Sequence, residues 1–401
     1  MRYRAWIRRM WLIHGSRVVA GAALLMAVMG AMMLTARFTR LISDPNGAID
    51  LRYYVNWAHL WFDRQPVYAL LEGPEYPPAS MPLLWLLVGW LRFDQARLWW
   101  ALIDVVALAG LAIGFIRATG AKALAPRAFV AMLLPSMTPT GAAVGNGQLI
   151  LHVLPILLIA LVVLPRRSPG WGRDIVAALL LAFTLVKPTV SVPFFWAACV
   201  VYGGVRVVLL AAAAYAGLTL LAAAFQDATL WDLLKACVIN GVRQATIAPD
   251  VNLQFVLRLI GLHAWMLPAS ALALGSLGVW TYRHRRQDVW VLLGVAALVA
   301  RLWTYHRLYD GVLVTLAEVA LLRIASRRFW TDGIGVAAGM LLAVNVLIFL
   351  FPGPAGPGGT FPRIGFALLI GQAAMTVIDL AFLLYAGSRD PVLPRKQASA
   401  A

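Results

Sequence analysis

The run PPASMPLLWLLVGWLRF, Pro77–Phe93, decides how this chain is threaded. It is apolar enough to read as a bilayer span, but counting it puts Arg117, Lys122 and Arg127 on the outer side and inverts every loop that follows. Read instead as a helix lying in the plane of the outer leaflet, with Trp85 and Trp90 at headgroup depth, it leaves the charge pattern coherent.

Composition fixes the solvent. Of 401 residues, 62% are hydrophobic and only 13% charged, against about 25% charged in soluble domains. A net charge of +17 would suit nucleic acid if it formed one basic face, but the arginines fall in short clusters between apolar runs, which is a membrane pattern.

Apolar segments at 18–36, 97–117, 128–141, 147–164, 174–186, 188–203, 206–225, 265–282, 288–302, 308–322, 334–351 and 363–386 predict an all-α polytopic protein of about twelve transmembrane helices. The first follows the basic residues Arg2, Arg4, Arg8, Arg9 and Arg17 and exceeds a signal-peptide core, so it reads as a retained span. With that threading, most basic residues lie in short inner loops, including Arg166–Arg167–Arg173, Arg206, Arg283–Arg285–Arg286, Arg323–Arg327–Arg328 and Arg389–Arg395–Lys396. Both termini are then cytoplasmic, and the long loops 37–96 and 226–264 both face outward.

Residues 1–401 read as one integral domain, with the outer loops forming the active-site side. The tract PGPAGPGG at 352–359 is a turn-rich outer connection. Cys199 and Cys237 have neither disulfide nor zinc spacing and read as structural.

Polar residues gather on the outer side. In AIDLRYYVNWAHLWFDRQPVY, Ala48–Tyr68, the residues Asp50, Tyr53, Tyr54, Trp57 and Trp61 recur at helical spacing, predicting a carboxylate at the N-terminal end of an aromatic stripe resting on the membrane. Asp50 is either a helix cap or a catalytic carboxylate, and the two roles can coexist. Tyr76 opens the in-plane helix, Asn146 and Gln148 lie in GNGQ, and Lys187 stands before Pro188 where two short spans meet. RLWTYHRLYD brings Arg301, His306, Arg307 and Asp310 to an outer turn. Each has a bland alternative: Lys187 can snorkel, His306 can be a structural histidine, and Asn146 and Gln148 can finish a tight turn. Asp104, Glu318 and Asp379 are intramembrane acids ranked below this outer set.

The sequence holds no DxD pair, HExxH or GxxxxGK[ST], the motifs of metal-dependent nucleotide-sugar enzymes, zinc hydrolases and ATP-driven pumps.

Taken in order, IDLRYYVNWAHLWFDRQPVY, EYPPASMPLLWLL, GNGQLILHVLPILLIAL, LAFTLVKPTVSVPFFW and NLQFVLRLIG resemble glycosyltransferase family 87, membrane enzymes of the GT-C fold, over roughly residues 18–325. The resemblance implies transfer of a sugar, most often mannose, from a polyprenyl-phosphate donor to a hydroxyl of a lipid or glycan acceptor, on the outer face of the bacterial cytoplasmic membrane. It implies in-plane periplasmic helices in the first outer loop and no metal or cofactor beyond the lipid-linked donor. The first-loop aspartate of the family, its catalytic base, maps onto Asp50, with Asp44 and Asp63 as competitors. One base suffices chemically, because the phosphate leaving group is already activated. Lys187, His306 and Arg307 are then candidates for the donor phosphate. Asn146, Gln148, Asn252 and Gln254 are candidates for sugar or phosphate hydrogen bonds, and Tyr53, Tyr54 and Tyr76 for positioning the acceptor or the loop. The segment LWTYHRLYD has a single histidine where the family pairs two. The alternative is a lipid-linked sugar flippase or small-molecule transporter; an inactive, assembly-only member is a third reading.

Overall fold

The computed structural model describes residues 2–70, 73–247, 252–350 and 362–389, and every regular element among them is helical. The Pro/Gly tract at 352–359 and the residues Arg395 and Lys396 lie outside that set. In chain order the helices are α1 (Arg2–Ser43), α2 (Ile49–Phe62), α3 (Ser80–Leu84), α4 (Phe93–Thr119), α5 (Leu124–Met132), α6 (Thr138–Asn146), α7 (Ile150–Leu158), α8 (Trp171–Thr184) and α9 (Pro188–Ser191). They continue as α10 (Phe195–Val201), α11 (Arg206–Ala223), α12 (Leu230–Ile247), α13 (Leu253–Leu259), α14 (Met266–Arg283), α15 (Val289–Leu302), α16 (Val314–Arg328), α17 (Gly333–Leu350) and α18 (Pro362–Arg389).

Among the described residues, six helical segments are long and apolar enough to cross a membrane: Gly15–Ser43, Phe93–Thr119, Arg206–Ala223, His263–Arg283, Gly333–Leu350 and Ile370–Arg389. A bent pair, Thr138–Asn146 with Ile150–Arg166, makes a seventh if its 114° angle is counted within one broken span. This is an α-helical membrane protein. The other apolar segments are also helical but short, and their sequences say why. The run 128–141 is cut after Met132 because Pro135 and Pro139 cannot continue a helix through it. The run 174–186 ends at Thr184, just before Lys187–Pro188. The 14-residue α15 is apolar on every side and buried along almost its whole length, packed by α16 and α18, so it is an interior helix.

Between Pro77 and Phe93 the chain forms α3 and then a π-helical turn, Trp85–Gly89. This helical segment, Ser80–Gly89, is well short of the roughly 20 residues a span needs. Trp85 and Trp90 are both exposed.

The segment between α1 and α4 is pinned at its start. Arg97, at the beginning of α4, donates from Nε to Leu41 O (2.5 Å) and from Nη2 to Asp44 O (2.5 Å), capping the carbonyl end of α1 with a cation. Pro45 then stops α1, and Ala48 turns the chain through a left-handed conformation (φ 52°) into α2.

The aromatic stripe of α2 does not rest on the membrane. Tyr54, Trp57 and Trp61 are buried inside the protein. Trp61 Nε1 donates to Ala222 O at the end of α11 (3.0 Å), and its ring meets Tyr68 edge-on. Tyr54 packs against Tyr76 and Trp100. A stripe of helical period is silent about whether it faces lipid or protein, and here indole and phenol groups have internal partners that hydrocarbon could not supply.

Candidate functional site

The GNGQ turn carries one side of the site. α6 ends at Asn146, Gly147 adopts φ 71°, and α7 starts anew at Ile150. Gly147 is required twice over: its left-handed backbone disfavours other residues, and a Cβ there would stand 2.6 Å from Leu51 Cβ. That close approach, with the Ala48 N–H donating to Gly145 O (3.0 Å), docks the first turn of α2 onto this corner. Asp50, second residue of α2, is thereby set beside Gln148. The cap position belongs to Ala48, so Asp50 is not the helix cap.

Gln148 is a buried junction. Its Oε1 accepts from Tyr54 Oη (3.2 Å) and Lys187 Nζ (3.0 Å), and its side chain donates to the Asp50 carboxylate. Lys187 is delivered by the break between α8 and α9, where Pro188 takes the first helical position. Its ammonium contacts Asp310 Oδ1 at 2.7 Å and lies 4.8 Å above the Tyr309 ring.

Asp310 sits in a short 3₁₀ helix, Leu308–Leu313. Besides Lys187, it accepts from His306 Nδ1 (3.0 Å) and from the Arg307 backbone N–H (3.2 Å). Gly311 lets this turn press on α6, since a Cβ there would meet Pro139 Cγ at 2.7 Å. Arg307 reaches Gln244 Oε1 on α12 through Nη2 (2.9 Å). His306 Nε2 is buried without a partner among the described residues.

The other side is the Glu75–Tyr76 loop. Tyr76 Oη lies 3.3 Å from Tyr54 Oη, and Tyr68 Oη donates to Tyr76 O (2.6 Å). Glu75 is half-buried, its carboxylate hydrogen-bonded by Tyr305 and within the field of Asp50 and Lys187.

These surroundings move the carboxyl groups. Burial raises Asp50 above its ordinary value, opposed by the Gln148 hydrogen bond and by Lys187 and Arg307, and assisted by Asp310. Glu75 is raised by burial too, opposed by hydrogen bonds from its own backbone and from Tyr305. Burial lifts Tyr54 and Tyr76 well above the phenol range, so they serve as neutral donors. The result is two carboxyl groups of raised basicity beside three basic side chains, an arrangement able to take a proton and to stabilise an anion in one small volume.

Of the residues singled out in the sequence, Asp50, Tyr54, Tyr76, Gln148, Lys187, His306, Arg307 and Asp310 come together. The rest are placed otherwise. Asn252 is the N-cap of α13, its Oδ1 accepting from Phe255 N (2.9 Å), and Gln254 Nε2 donates to Ser270 Oγ on α14 (3.1 Å). These are helix-capping and helix-joining bonds. Tyr53 stacks on Trp57, with ring centroids 5.5 Å apart. Asn146 is the last residue of α6, half-buried. Asp44 folds its carboxylate onto Asn46 N (2.9 Å) within its own turn. Asp63 is exposed at the far end of α2, roughly 20 Å from Asp50 by helical rise.

Glu75, Gln244, Tyr305 and Tyr309 were not singled out. Glu75 left a trace, an acid directly before Tyr-Pro-Pro in a long loop. Gln244 left none.

The Asp104 and His152 side chains form a separate buried pair (Oδ1 to Nε2, 3.0 Å). Glu318 and Asp379 are buried among α16, α17 and α18, with Asn345 Nδ2 donating to Asp379 Oδ2 (2.7 Å). Comparison with protein-family models, with curated proteins and with solved structures finds no match to this chain.

Proposed function

We propose that this protein is a membrane glycosyltransferase of the GT-C type that moves a sugar, mannose in the first instance, from a polyprenyl-phosphate donor to a hydroxyl of a lipid or glycan acceptor. The observation that carries the proposal is Asp50: a carboxylate of raised basicity, held by Gln148, with Lys187 and Arg307 close enough to act on it electrostatically. This adds to the resemblance to glycosyltransferase family 87.

In the proposed reaction the acceptor oxygen attacks the anomeric carbon as its proton passes to Asp50. The bond from that carbon to the phosphate oxygen breaks, polyprenyl phosphate departs, and the anomeric configuration inverts. Lys187, Arg307 and His306 stabilise charge on the departing phosphate. A cavity of about 610 Å³ with almost wholly apolar walls supports a lipid substrate. Its wall includes Trp303, whose Nε1 donates to Thr189 O (2.8 Å), two residues beyond Lys187. The reading takes about twelve membrane helices, counting the short apolar ones. It also takes a bacterial cytoplasmic membrane, both termini inside, and the site outside, from the arginine distribution.

The test is transfer of radiolabelled mannose from synthetic polyprenyl-phosphate mannose to envelope lipids and glycans by purified protein, against Asp50→Asn. Transfer that disappears in the variant supports the proposal; equal transfer by both removes Asp50 as the base.

A second reading, a lipid-linked sugar flippase or small-molecule transporter, is favoured by one observation: the bent α6–α7 pair resembles the broken helices of transporters. Movement of labelled lipid across proteoliposomes, without transfer, would select it.

A further inference from the structure

Away from this site, α10, the Tyr202–Val205 loop and α14 line an open-sided cavity of about 1200 Å³, larger than the roughly 300–1,000 Å³ of ordinary small-molecule pockets. Its wall is apolar where Trp196, Val200 and Val279 line it. Space is free beside Gly203, Gly204 and Gly275, where a Cβ would meet nothing within 4 Å. Gly278 acts differently, letting the Trp196 ring lie flat against α14, with a Cβ there only 2.7 Å from it.

One end of this cavity is cationic. Arg283, Arg285 and Arg286 line it and are exposed. Arg285 lies over the Tyr282 ring (4.6 Å) and donates to Tyr282 O, which fixes its position without neutralising it. The nearby carboxylates are already engaged. Asp288 is held by Arg323 (2.5 Å) and Arg327 (2.9 Å), and Asp174 by Arg173 (2.7 Å) and Arg206. Among the described residues no carboxylate pairs with Arg283, Arg285 or Arg286.

We infer that this cavity is a binding site for an anionic membrane phospholipid, its acyl chains along Trp196, Val200 and Val279 and its phosphate on Arg283, Arg285 and Arg286. The occupant follows from the pairing of features: an apolar wall asks for hydrocarbon, and three guanidinium groups without a carboxylate partner at the end of α14 ask for a phosphate. A zwitterionic lipid would match the wall only.

The experiment uses the whole protein in nanodiscs of mixed phosphatidylglycerol and phosphatidylcholine, with retained lipid counted by native mass spectrometry. The expected result is selective retention of phosphatidylglycerol, weakened roughly tenfold or more when all three arginines become alanine and preserved when they become lysine. Gly275→Leu, which fills the cavity from a position with free space, should reduce retention of both lipids. Equal retention of the two lipids by the native protein overturns the inference. So does undiminished phosphatidylglycerol on the triple alanine variant, or on Gly275→Leu with its melting temperature intact.

Discussion

Lys187 and Asp310, 123 residues apart in the chain, form an ion pair of 2.7 Å whose side chains are only 5% and 3% exposed. Such burial is unfavourable for both ions unless their remaining hydrogen-bonding capacity is met. Here Gln148 serves Lys187, while His306 and the Arg307 N–H serve Asp310. Lys187→Met leaves a buried carboxylate short of its main partner and is expected to cost about 3–5 kcal/mol, read as a fall in melting temperature in detergent. Lys187→Met with Asp310→Leu should recover much of that stability while remaining inactive. A single-variant loss under about 1 kcal/mol, the range of exposed pairs, would contradict the buried geometry.

Asp50→Asn is expected to abolish transfer and yet stabilise the fold at neutral pH. Burial raises the folded carboxyl above its ordinary value of 3.8, so between the unfolded and folded values the native state binds the extra proton. Stability therefore falls as pH rises through that window, and the loss is complete above the folded value. Asparagine removes that loss, so its melting temperature should exceed that of the native protein at pH 7 and lose its advantage well below pH 4. Activity should fall on the acid side at a pH above the ordinary aspartate range. A higher melting temperature for the native protein at pH 7 would mean that Asp50 is held as a stabilised ion.

Gly147→Ala is expected to destabilise by about 1–3 kcal/mol, from the left-handed backbone and the contact with Leu51. Gln148→Leu leaves that corner intact but takes a hydrogen bond from the buried Lys187, so it should lower kcat in protein that is still folded as well as costing stability. Chemical denaturation and steady-state kinetics on the two variants separate the roles. An unchanged kcat for folded Gln148→Leu would show that Gln148 matters only as structure.

Glu75→Gln tests a residue that only the structure brings into the site. Asp50 and Glu75 each disfavour the other's charge, so removing the Glu75 charge should move the acid limb of kcat/KM to lower pH. An unmoved limb with unchanged kcat would place Glu75 outside the working site.

The helical class and most of the site could be read from the chain, for identifiable reasons. Lys187 stood out because a lysine before Pro188 must fall at a helix break, and Gln148 because glycines flank the turn before it. Asp50 stood out as an acid heading an aromatic helix. Burial was less legible. Tyr54, Trp57 and Trp61 have the same spacing whether they meet lipid or protein, and only the Ala222 carbonyl and the Tyr76 and Trp100 rings decide it. Asn252 and Gln254 looked like ligand-binding amides because a cap and a helix tie use the same side chains. Gln244 was illegible, since its role depends on Arg307 arriving from 63 residues away.

The Asp310 carboxylate gives Lys187 and His306 a resident counter-ion. A dianionic group approaching them competes with a tethered rival that needs no diffusion to return, so it gains less than an unpaired ammonium and a free imidazole N–H would offer. In the proposed reaction that rivalry sets an upper bound on the grip of the phosphate product and shortens its stay. Arg307, whose side chain goes to the neutral amide of Gln244, is the cation with most attraction left to give. Turnover in such a pocket is helped by a bond kept inside the protein, ready to re-form as the product leaves.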